Sequence, residues 1–277
     1  MASGLAKTLL SREVLALACG AMIGWSWVLL TGEWLSRAGT MGTVIAFMIG
    51  SSIVILISLA YAELASAMPL AGGEHHYTKR ALGYTSSFIA SWAVVIAYVT
   101  VCVFESAALP TALQYLFPDL GVGLLWSVAG SPVYASLVAV GAIGAALMTF
   151  INYVGIRFAA FVQTLMTVLF IAVGLLFFLG VGISEPPASR VPELSQGIVG
   201  ILGVLVMVPA LLVGFDVIPQ SAEEINLPPN RIGGLLVISV CLAGGWYIAI
   251  SLAVGNALSG PELEASTMPT ADAMAAV

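Results

Sequence analysis

The chain has 277 residues, of which 60% are apolar and only 8% are Asp, Glu, Lys or Arg. A soluble domain carries about 25% charged residues, so this composition excludes a soluble globular enzyme, and it excludes a disordered chain, which would be polar and charged. The net charge of −6 argues against a nucleic-acid partner, which requires basic patches. The remaining class is an all-α integral membrane protein embedded in a lipid bilayer.

Seven stretches are apolar and long enough to cross a bilayer, since one helical crossing needs about 20 residues. Turn signals separate several of them, such as Gly-Ser-Pro at 130–132 and Leu-Pro-Pro-Asn at 227–230. The predicted helices lie at 14–31, 41–66, 86–113, 133–151, 158–183, 197–218 and 232–256.

Basic residues indicate the orientation of these helices, because cytoplasmic loops are enriched in Lys and Arg. With the N-terminus inside, six of the basic residues lie in cytoplasmic segments, and only Arg37 and Arg190 lie outside. We therefore expect a multi-pass protein of the plasma membrane, with a cytoplasmic N-terminus at 1–13 and an extracellular tail at 257–277.

The first predicted helix contains Gly20 and Gly24 in a GxxxG spacing. One interpretation is close packing against another helix. The other is a break in mid-membrane, because glycine permits unwinding and the freed backbone must then face a cavity or a ligand. Freed N–H groups at such a break suit a carboxylate.

The sixth predicted helix is interrupted by Pro209, which lacks a backbone donor, and by Gly214. Alone, this pattern is compatible with an ordinary proline kink. However, helices 1 and 6 begin two candidate five-helix units. Interruptions at matching positions of two repeats indicate a substrate site in secondary transporters.

Three short motifs lie in the first helix, after the second helix and at the end of the sixth helix. They are Gly20-Ala-Met-Ile-Gly24; Ala-Glu-Leu-Ala-Ser-Ala-Met-Pro at 62–69, followed by Gly72-Gly73, Tyr77 and Gly83; and Gly-Phe-Asp at 214–216, followed by Ala-Glu-Glu at 222–224, Pro228 and Arg231. Together they resemble the signatures of the amino acid–polyamine–organocation (APC) permease family.

This resemblance implies a LeuT-type fold, in which the first ten helices form two inverted five-helix repeats. On that scheme 14–183 forms the first repeat and 197–256 supplies the first two helices of the second. The sequence stops where an eighth helix would follow, so we expect a C-terminally incomplete permease.

The resemblance also implies the function of a secondary transporter of amino acids or related amines, with alternating access and no catalytic residue, metal or other cofactor. Backbone groups at the two helix breaks would bind the substrate. The implied residues are Met22, Ile23, Gly24 and Ser26 at the substrate carboxylate, and Ala210, Leu211, Val213 and Gly214 at the ammonium end. Trp25, beside the first break, is predicted to stack against the substrate or close over it, with apolar packing as the alternative.

Glu105 lies inside the third predicted helix, and a carboxylate in a membrane helix is costly and by default functional. We expect it to face the cavity, where it would pair with a cationic substrate or carry a coupling proton. Alternatively it reaches water near the outer interface, because the predicted helix ends about two turns later at Leu113. Some proton-coupled members of the family place a lysine in helix 5, where this chain has Phe170.

Three further acidic residues are candidates for coupling or gating. Asp216 follows the sixth-helix break and is predicted to cap the inner half-helix, with a proton or gating network as the alternative. Glu223 and Glu224 are predicted to form a cytoplasmic latch with Arg231 or Lys79, or else a solvated acidic face.

Aromatic and histidine residues carry weaker predictions. Trp34 and Trp126 are predicted to lie in the outer aromatic belt of the membrane. His75 and His76 are adjacent, but no Cys or third ligand follows at metal spacing, so we expect no metal site.

Two other functions remain as alternatives. A seven-helix receptor is suggested by helix number alone, although its N-terminus would lie outside. A fragment that does not transport, or that regulates a full-length permease, is the second alternative, and the oligomeric state is left open.

Overall fold

The computed structural model describes residues 7–187 and 189–277, and most of this length is helical, which confirms the all-α class. The helices are α1 Ser11–Ile23, α2 Ser26–Leu29, α3 Thr31–Ala67, α4 Glu74–Leu116, α5 Ala135–Val154, α6 Ile156–Ile183, α7 Gly197–Leu205, α8 Val208–Leu211, α9 Val217–Gln220, α10 Pro229–Ala257, α11 Gly260–Ala265 and α12 Pro269–Ala276.

Within these described ranges, six helical segments are long and apolar enough to cross a membrane, by length and composition. They are Ser11–Leu29, Thr31–Ala67, Glu74–Leu116, Ala135–Val154, Ile156–Ile183 and Pro229–Ala257. The predicted crossing at 197–218 differs, because its apolar helical part, Gly197–Leu211, is shorter and is followed by turns. The protein is thus a multi-pass membrane protein.

The predicted loop between the first two helices is itself helical. The chain remains helical from Thr31 to Ala67 except at Gly39, where φ is 76° and ψ is 179°. An ideal Cβ atom at Gly39 would lie 2.5 Å from the carbonyl oxygen of Pro192. Glycine is therefore needed both for the left-handed φ and for the close approach of the backbone at Pro192 and Glu193.

A two-stranded hairpin between α4 and α5 was absent from the prediction. Strand β1 (Leu124–Val128) pairs antiparallel with β2 (Ser131–Tyr134). The turn residues Ala129 and Gly130 have φ values of 48° and 86°, the sign pattern of a tight two-residue hairpin turn. The predicted turn signal at 130–132 marks this hairpin.

The core forms where α3, α7 and α10 pack together. At its centre lie the fully buried rings of Trp34, Phe47 and Tyr247. Phe47 stacks on Tyr247 with ring centroids 5.1 Å apart, and Trp34 contacts Phe47 edge-on at 5.0 Å. The prediction that Trp34 lies in an interfacial belt is therefore wrong, because helix α3 turns it into the core.

The predicted tail at 257–277 contains two short helices, α11 and α12. Helix α12 packs against α2 and α3, and the Thr270 hydroxyl donates a 2.8 Å hydrogen bond to the carbonyl oxygen of Trp27. Pro269 packs directly on Gly32. The tail thus covers the end of the second half of the first broken helix.

Replacing Gly200 by Ala should destabilise the protein, because its Cβ atom would overlap the backbone carbonyl of Arg37. Backbone cannot rotate away as a side chain can, so α7 must separate from α3 at a cost of about 1–3 kcal/mol. The measurement is thermal unfolding of the purified protein in detergent.

The matched control is Gly203→Ala on the same helix, where the nearest atom is the flexible Arg37 guanidinium at 3.8 Å. Alanine favours helix there by about 0.5–1 kcal/mol, so the melting temperature should hold or rise. Equal destabilisation by both variants would contradict the packing of α7 on α3.

Candidate functional site

The first membrane helix is broken between α1 and α2. Helix α1 ends at Ile23, Gly24 has φ 42° and ψ −148°, and α2 begins at Ser26. Gly20 instead packs on α6, where a Cβ atom would collide with the Gln163 side chain. Both interpretations of the GxxxG spacing therefore hold, with one glycine used for packing and the other for the break.

The second break lies between α8 and α9, where residues 212–216 form turns. Gly214 has φ 128°, and an ideal Cβ atom there would lie 2.8 Å from the Cβ of Ala21 and 3.0 Å from the Met22 nitrogen. Pro209 sits in the first turn of α8, a position that tolerates proline. A shorter interruption at 206–207 precedes Pro209. The break at 212–216 is made by the glycine segment, and it lies in direct contact with the first break.

Tyr247 of α10 joins the two breaks through its hydroxyl group. The oxygen lies 2.7 Å from the Met22 carbonyl, 3.2 Å from the Ile23 carbonyl and 3.4 Å from the Leu211 carbonyl. The Ser26 hydroxyl lies 2.6 Å away. Carbonyl groups that the breaks release from helical bonding thus gain a donor inside the protein.

Sequence reasoning missed Tyr247, because it lies inside a continuous apolar run. A signal was nevertheless present. A tyrosine in the middle of a membrane helix, far from both interfaces, must find a hydrogen-bond partner for its hydroxyl group, and a helix break provides such partners.

Glu105 of α4 lies against the first break. Its Oε1 atom accepts a hydrogen bond of 3.3 Å from the Trp25 N–H, and an ideal Cβ atom on Gly24 would lie 2.5 Å from the same oxygen. The side chain is half-buried. The carboxylate is thus next to the backbone that was predicted to contact the substrate.

An aromatic wall, defined here as Trp25, Trp27 and Phe170, adjoins Glu105. Phe170 meets Trp25 edge-on at 5.9 Å and Trp27 at 6.1 Å. Trp27 is buried, whereas Trp25 is half-buried. Phe170 is half-buried as well, so both it and Trp25 have surface left for a bound molecule.

Asp216 directly precedes α9, but its side chain does not cap that helix. Instead Oδ1 accepts hydrogen bonds from the Tyr98 hydroxyl at 2.9 Å and the Gly214 N–H at 3.1 Å, and Oδ2 accepts one from Gln220 Nε2 at 2.9 Å. The capping prediction is wrong, because the carboxylate turns back to the break and links it to α4.

Glu223 and Glu224 lie in a short 3-10 turn. Glu223 accepts a hydrogen bond from the Ala71 N–H at 3.3 Å, and the Glu224 carbonyl accepts from the Thr8 N–H at 2.9 Å. Burial, together with the neighbouring Glu223 carboxylate, raises the pKa of the Glu224 carboxyl group. The two residues thus connect the turn at 222–224 to the segments that contain Thr8 and Ala71, through backbone N–H donors.

The predicted ion pairs of this latch are absent. Among the residues that the structure describes, one ion pair is found, between Glu33 and Arg37. Arg231 and Lys79 therefore do not pair with the two glutamates.

In the same described ranges, no three His, Cys, Asp or Glu residues cluster as a metal site, and His75 bonds to the hydroxyls of Ser87 and Ser91.

The residues implied at the ammonium end lie at the second break. Ala210 and Val213 are joined by a backbone hydrogen bond of 3.4 Å, and the Leu211 carbonyl faces the Tyr247 hydroxyl. Ala210 is exposed, and Leu211 and Val213 are half-buried. Of these three residues, Leu211 is thus linked to the first break, through the shared Tyr247 hydroxyl.

Tyr247→Phe should destabilise the protein by about 1–3 kcal/mol, because it removes the one hydroxyl proton that buried carbonyl groups of the two breaks share. The matched control is Tyr77→Phe, since Tyr77 is buried and its hydroxyl has no hydrogen-bond partner among the described residues. That change should be neutral or stabilising. Thermal unfolding in detergent measures both, and a larger loss for Tyr77→Phe would refute the bridging role.

Comparison with curated proteins gives three informative relatives. The branched-chain amino acid permease of Bacillus subtilis (strain 168) is 25% identical over 244 residues, 86% of this chain and 52% of its own length. The methylthioribose transporter of the same organism is 24% identical over 254 residues, 90% of this chain and 54% of its own length. Its aspartate-proton symporter is 28% identical over 116 residues, 42% of this chain and 22% of its own length.

The chain spans about half the length of the first two of these relatives. All three relatives are named as transport proteins: a permease, a transporter and a symporter. None of the three is an enzyme. The model of the family described as "Amino acid permease" matches residues 12–277, which includes both helix breaks and the tail. The chain therefore belongs to the amino acid permease family.

Proposed function

We propose that this chain carries the substrate site of a secondary active transporter for amino acids or related amines. The single observation that carries the proposal is the contact between two broken membrane helices, which the Tyr247 hydroxyl bridges within 3.4 Å of carbonyl oxygens on each. Backbone at membrane depth is left irregular only where protein or a water-filled cavity satisfies it. Two such breaks that meet are typical of a transporter binding site.

The substrate would bind beside this contact. The backbone of Met22 to Ser26 and that of Ala210 to Gly214 lie on its two sides, with Trp25 and Glu105 at its edge. Gly24 and Gly214 both have positive φ, and glycine changes such angles without steric cost. We propose that these two residues are the hinges of alternating access.

Asp216, Glu223 and Glu224 would act in gating. Asp216 ties the second break to Tyr98 on α4, and the two glutamates tie the turn at 222–224 to the N-terminal segment and to Ala71. Opening on that side requires these bonds to break. A coupling proton would be carried by Glu105 or Asp216, the carboxylates at the two breaks; the name of the aspartate-proton symporter supports proton coupling.

We also propose that the protein lies in the plasma membrane with its N-terminus in the cytoplasm. The distribution of basic residues supports this orientation, because Arg37 and Arg190 would lie outside and the other six inside. In the structure Arg37 is near the end of the first broken helix, at the start of α3. Ser11 begins the first broken helix, and Arg37 lies at its other end. An outer location of Arg37 therefore agrees with a cytoplasmic location of Ser11.

The purified 277-residue chain should take up labelled amino acids or amines when it is reconstituted in liposomes. Gly24→Ala should reduce uptake about tenfold or more, because a Cβ atom at 2.5 Å from Glu105 disturbs the first break. The readout is initial uptake rate per folded protein, with folding checked by size-exclusion chromatography.

Gly83→Ala is the matched control. Gly83 also has a positive φ, of 84°, but nothing lies within 4 Å of its Cβ position, so this variant isolates backbone strain. It should keep most of the uptake. If the wild-type chain binds these compounds but does not move them, the regulatory or non-transporting alternative is favoured.

Asp216→Asn should slow uptake about tenfold while it leaves the substrate Kd nearly unchanged, as expected for a residue that gates movement. In the wild-type protein, three donors share the two carboxylate oxygens of Asp216. Asparagine offers them only one oxygen, so part of this network is lost. The control is Asp119→Asn in the exposed turn Pro118–Leu120. A change in Kd without a change in rate would argue for substrate contact instead of gating.

A further inference from the structure

Glu74, at the start of α4, is a buried acidic side chain. Only 8% of its surface is exposed, and its Oε1 atom is buried with no hydrogen-bond partner among the described residues. A carboxylate in this position has neither water nor a donor to stabilise its charge at that oxygen, and a buried charge without a partner is costly. A protonated, neutral carboxyl group avoids this cost.

The turn that leads into Glu74 is fixed to α9. An ideal Cβ atom at Gly73 would lie 3.0 Å from the Cβ of Pro219. The Gly72 N–H donates a hydrogen bond of 3.0 Å to the Gln220 carbonyl oxygen. The start of α4 therefore packs on the segment that carries Asp216, and separation of α9 from α4 would open the surroundings of Glu74 to water.

The groups that face Glu74 are acidic or neutral. The Asp216 carboxylate, before α9, and the hydroxyls of Tyr61 on α3 and of Tyr77 and Tyr98 on α4 all interact with it electrostatically. Tyr61 contacts Tyr77 edge-on, with ring centroids 6.4 Å apart. The Tyr77 hydroxyl is itself buried without a partner among the described residues, so it supplies no hydrogen bond to a charge on Glu74.

The basic side chains near Glu74 in sequence do not neutralise it. Lys79 and Arg80, on the same helix, are exposed. His75 bonds to the hydroxyls of Ser87 and Ser91, and its ring contacts His76 edge-on. Over the described ranges, the ion pair present is the one between Glu33 and Arg37.

Glu74 and Asp216 thus form an unequal pair of carboxyl groups. Two carboxyl groups that interact this way resist a second ionisation, so one proton is retained by the pair. Three donors stabilise the charge on Asp216, whereas Glu74 Oε1 has none. The retained proton therefore belongs on Glu74.

We infer that Glu74 and Asp216 hold one proton between them, carried on Glu74, while α9 packs against the start of α4, and that this proton passes to water when the two separate. The inference rests on the proposed function, in which the bonds of Asp216 break as that side opens. Once Glu74 is in water it ionises as an ordinary glutamate does. One proton then moves with each cycle of alternating access.

The proton on Glu74 can be observed directly by infrared spectroscopy of the purified 277-residue chain in lipid nanodiscs. A protonated carboxyl group has its own C=O stretching band. We expect the wild-type chain to show such a band at neutral pH, where an exposed glutamate is ionised, and Glu74→Gln to lack it. Glu63→Gln, at an exposed position on α3, is the matched control and should keep the band.

Transport measurements test the release of this proton. Liposomes containing the chain are given labelled leucine, or labelled arginine if leucine is not taken up, with the membrane potential held at zero. One proton per substrate should drive about tenfold accumulation for a gradient of about one pH unit. Glu74→Gln should abolish this accumulation but keep the exchange of labelled for unlabelled substrate. A purely structural role of Glu74 would reduce both.

The possible outcomes separate the inference from the proposed function. The inference is overturned if the band survives in Glu74→Gln, or if wild-type uptake does not respond to the proton gradient; the transport site stands in both cases. If a folded chain neither accumulates nor exchanges either amino acid, the proposed function fails, while the infrared band still decides whether Glu74 is protonated.

Should Glu74→Gln not fold, Asp216→Asn replaces it in the infrared experiment. Loss of the neighbouring negative charge makes Glu74 easier to ionise. The band should then require a proton concentration about tenfold higher than in the wild-type chain. An unchanged titration would show that the two carboxyl groups do not share a proton.

Discussion

A bilayer core offers no water to a broken helix, and this constraint organises the structure. Each backbone group that leaves helical bonding must find a partner within the protein. Here the breaks after Ile23 and after Leu211 face each other, and the buried Tyr247 hydroxyl supplies the shared donor. The packing of α10 along α3 holds that hydroxyl in place, so the fold and the candidate site depend on the same helix.

The scarcity of charge has a related consequence. With so few ionisable residues, the Glu105 and Asp216 carboxylates both have defined hydrogen-bond donors: Trp25 for Glu105, and Tyr98, Gln220 and Gly214 for Asp216. None of these donors is a cation. Among the described residues, these two carboxylates thus have neutral N–H and O–H groups as partners and no basic side chain.

The sequence predicted the features that follow from local physics. Hydrophobic length identified six of the seven predicted membrane helices, and glycines marked both breaks. Features that depend on tertiary packing were missed: Trp34 is placed in the core by the rotation of α3, and Glu223 bonds to backbone that is distant in sequence. The direction in which Asp216 turns was also missed, because capping and back-bonding use the same residue type at the same position.

The Tyr247 hydroxyl has one proton and three carbonyl oxygens within 3.4 Å. It can pass from one acceptor to another by a small rotation of the O–H bond, which takes far less time than a domain movement. In the alternating access proposed above, the hydroxyl would therefore change partners without a stage at which it is unbonded. The contact that stabilises this arrangement would thus add little to the cost of leaving it, so a well-bonded core and conformational exchange need not oppose each other.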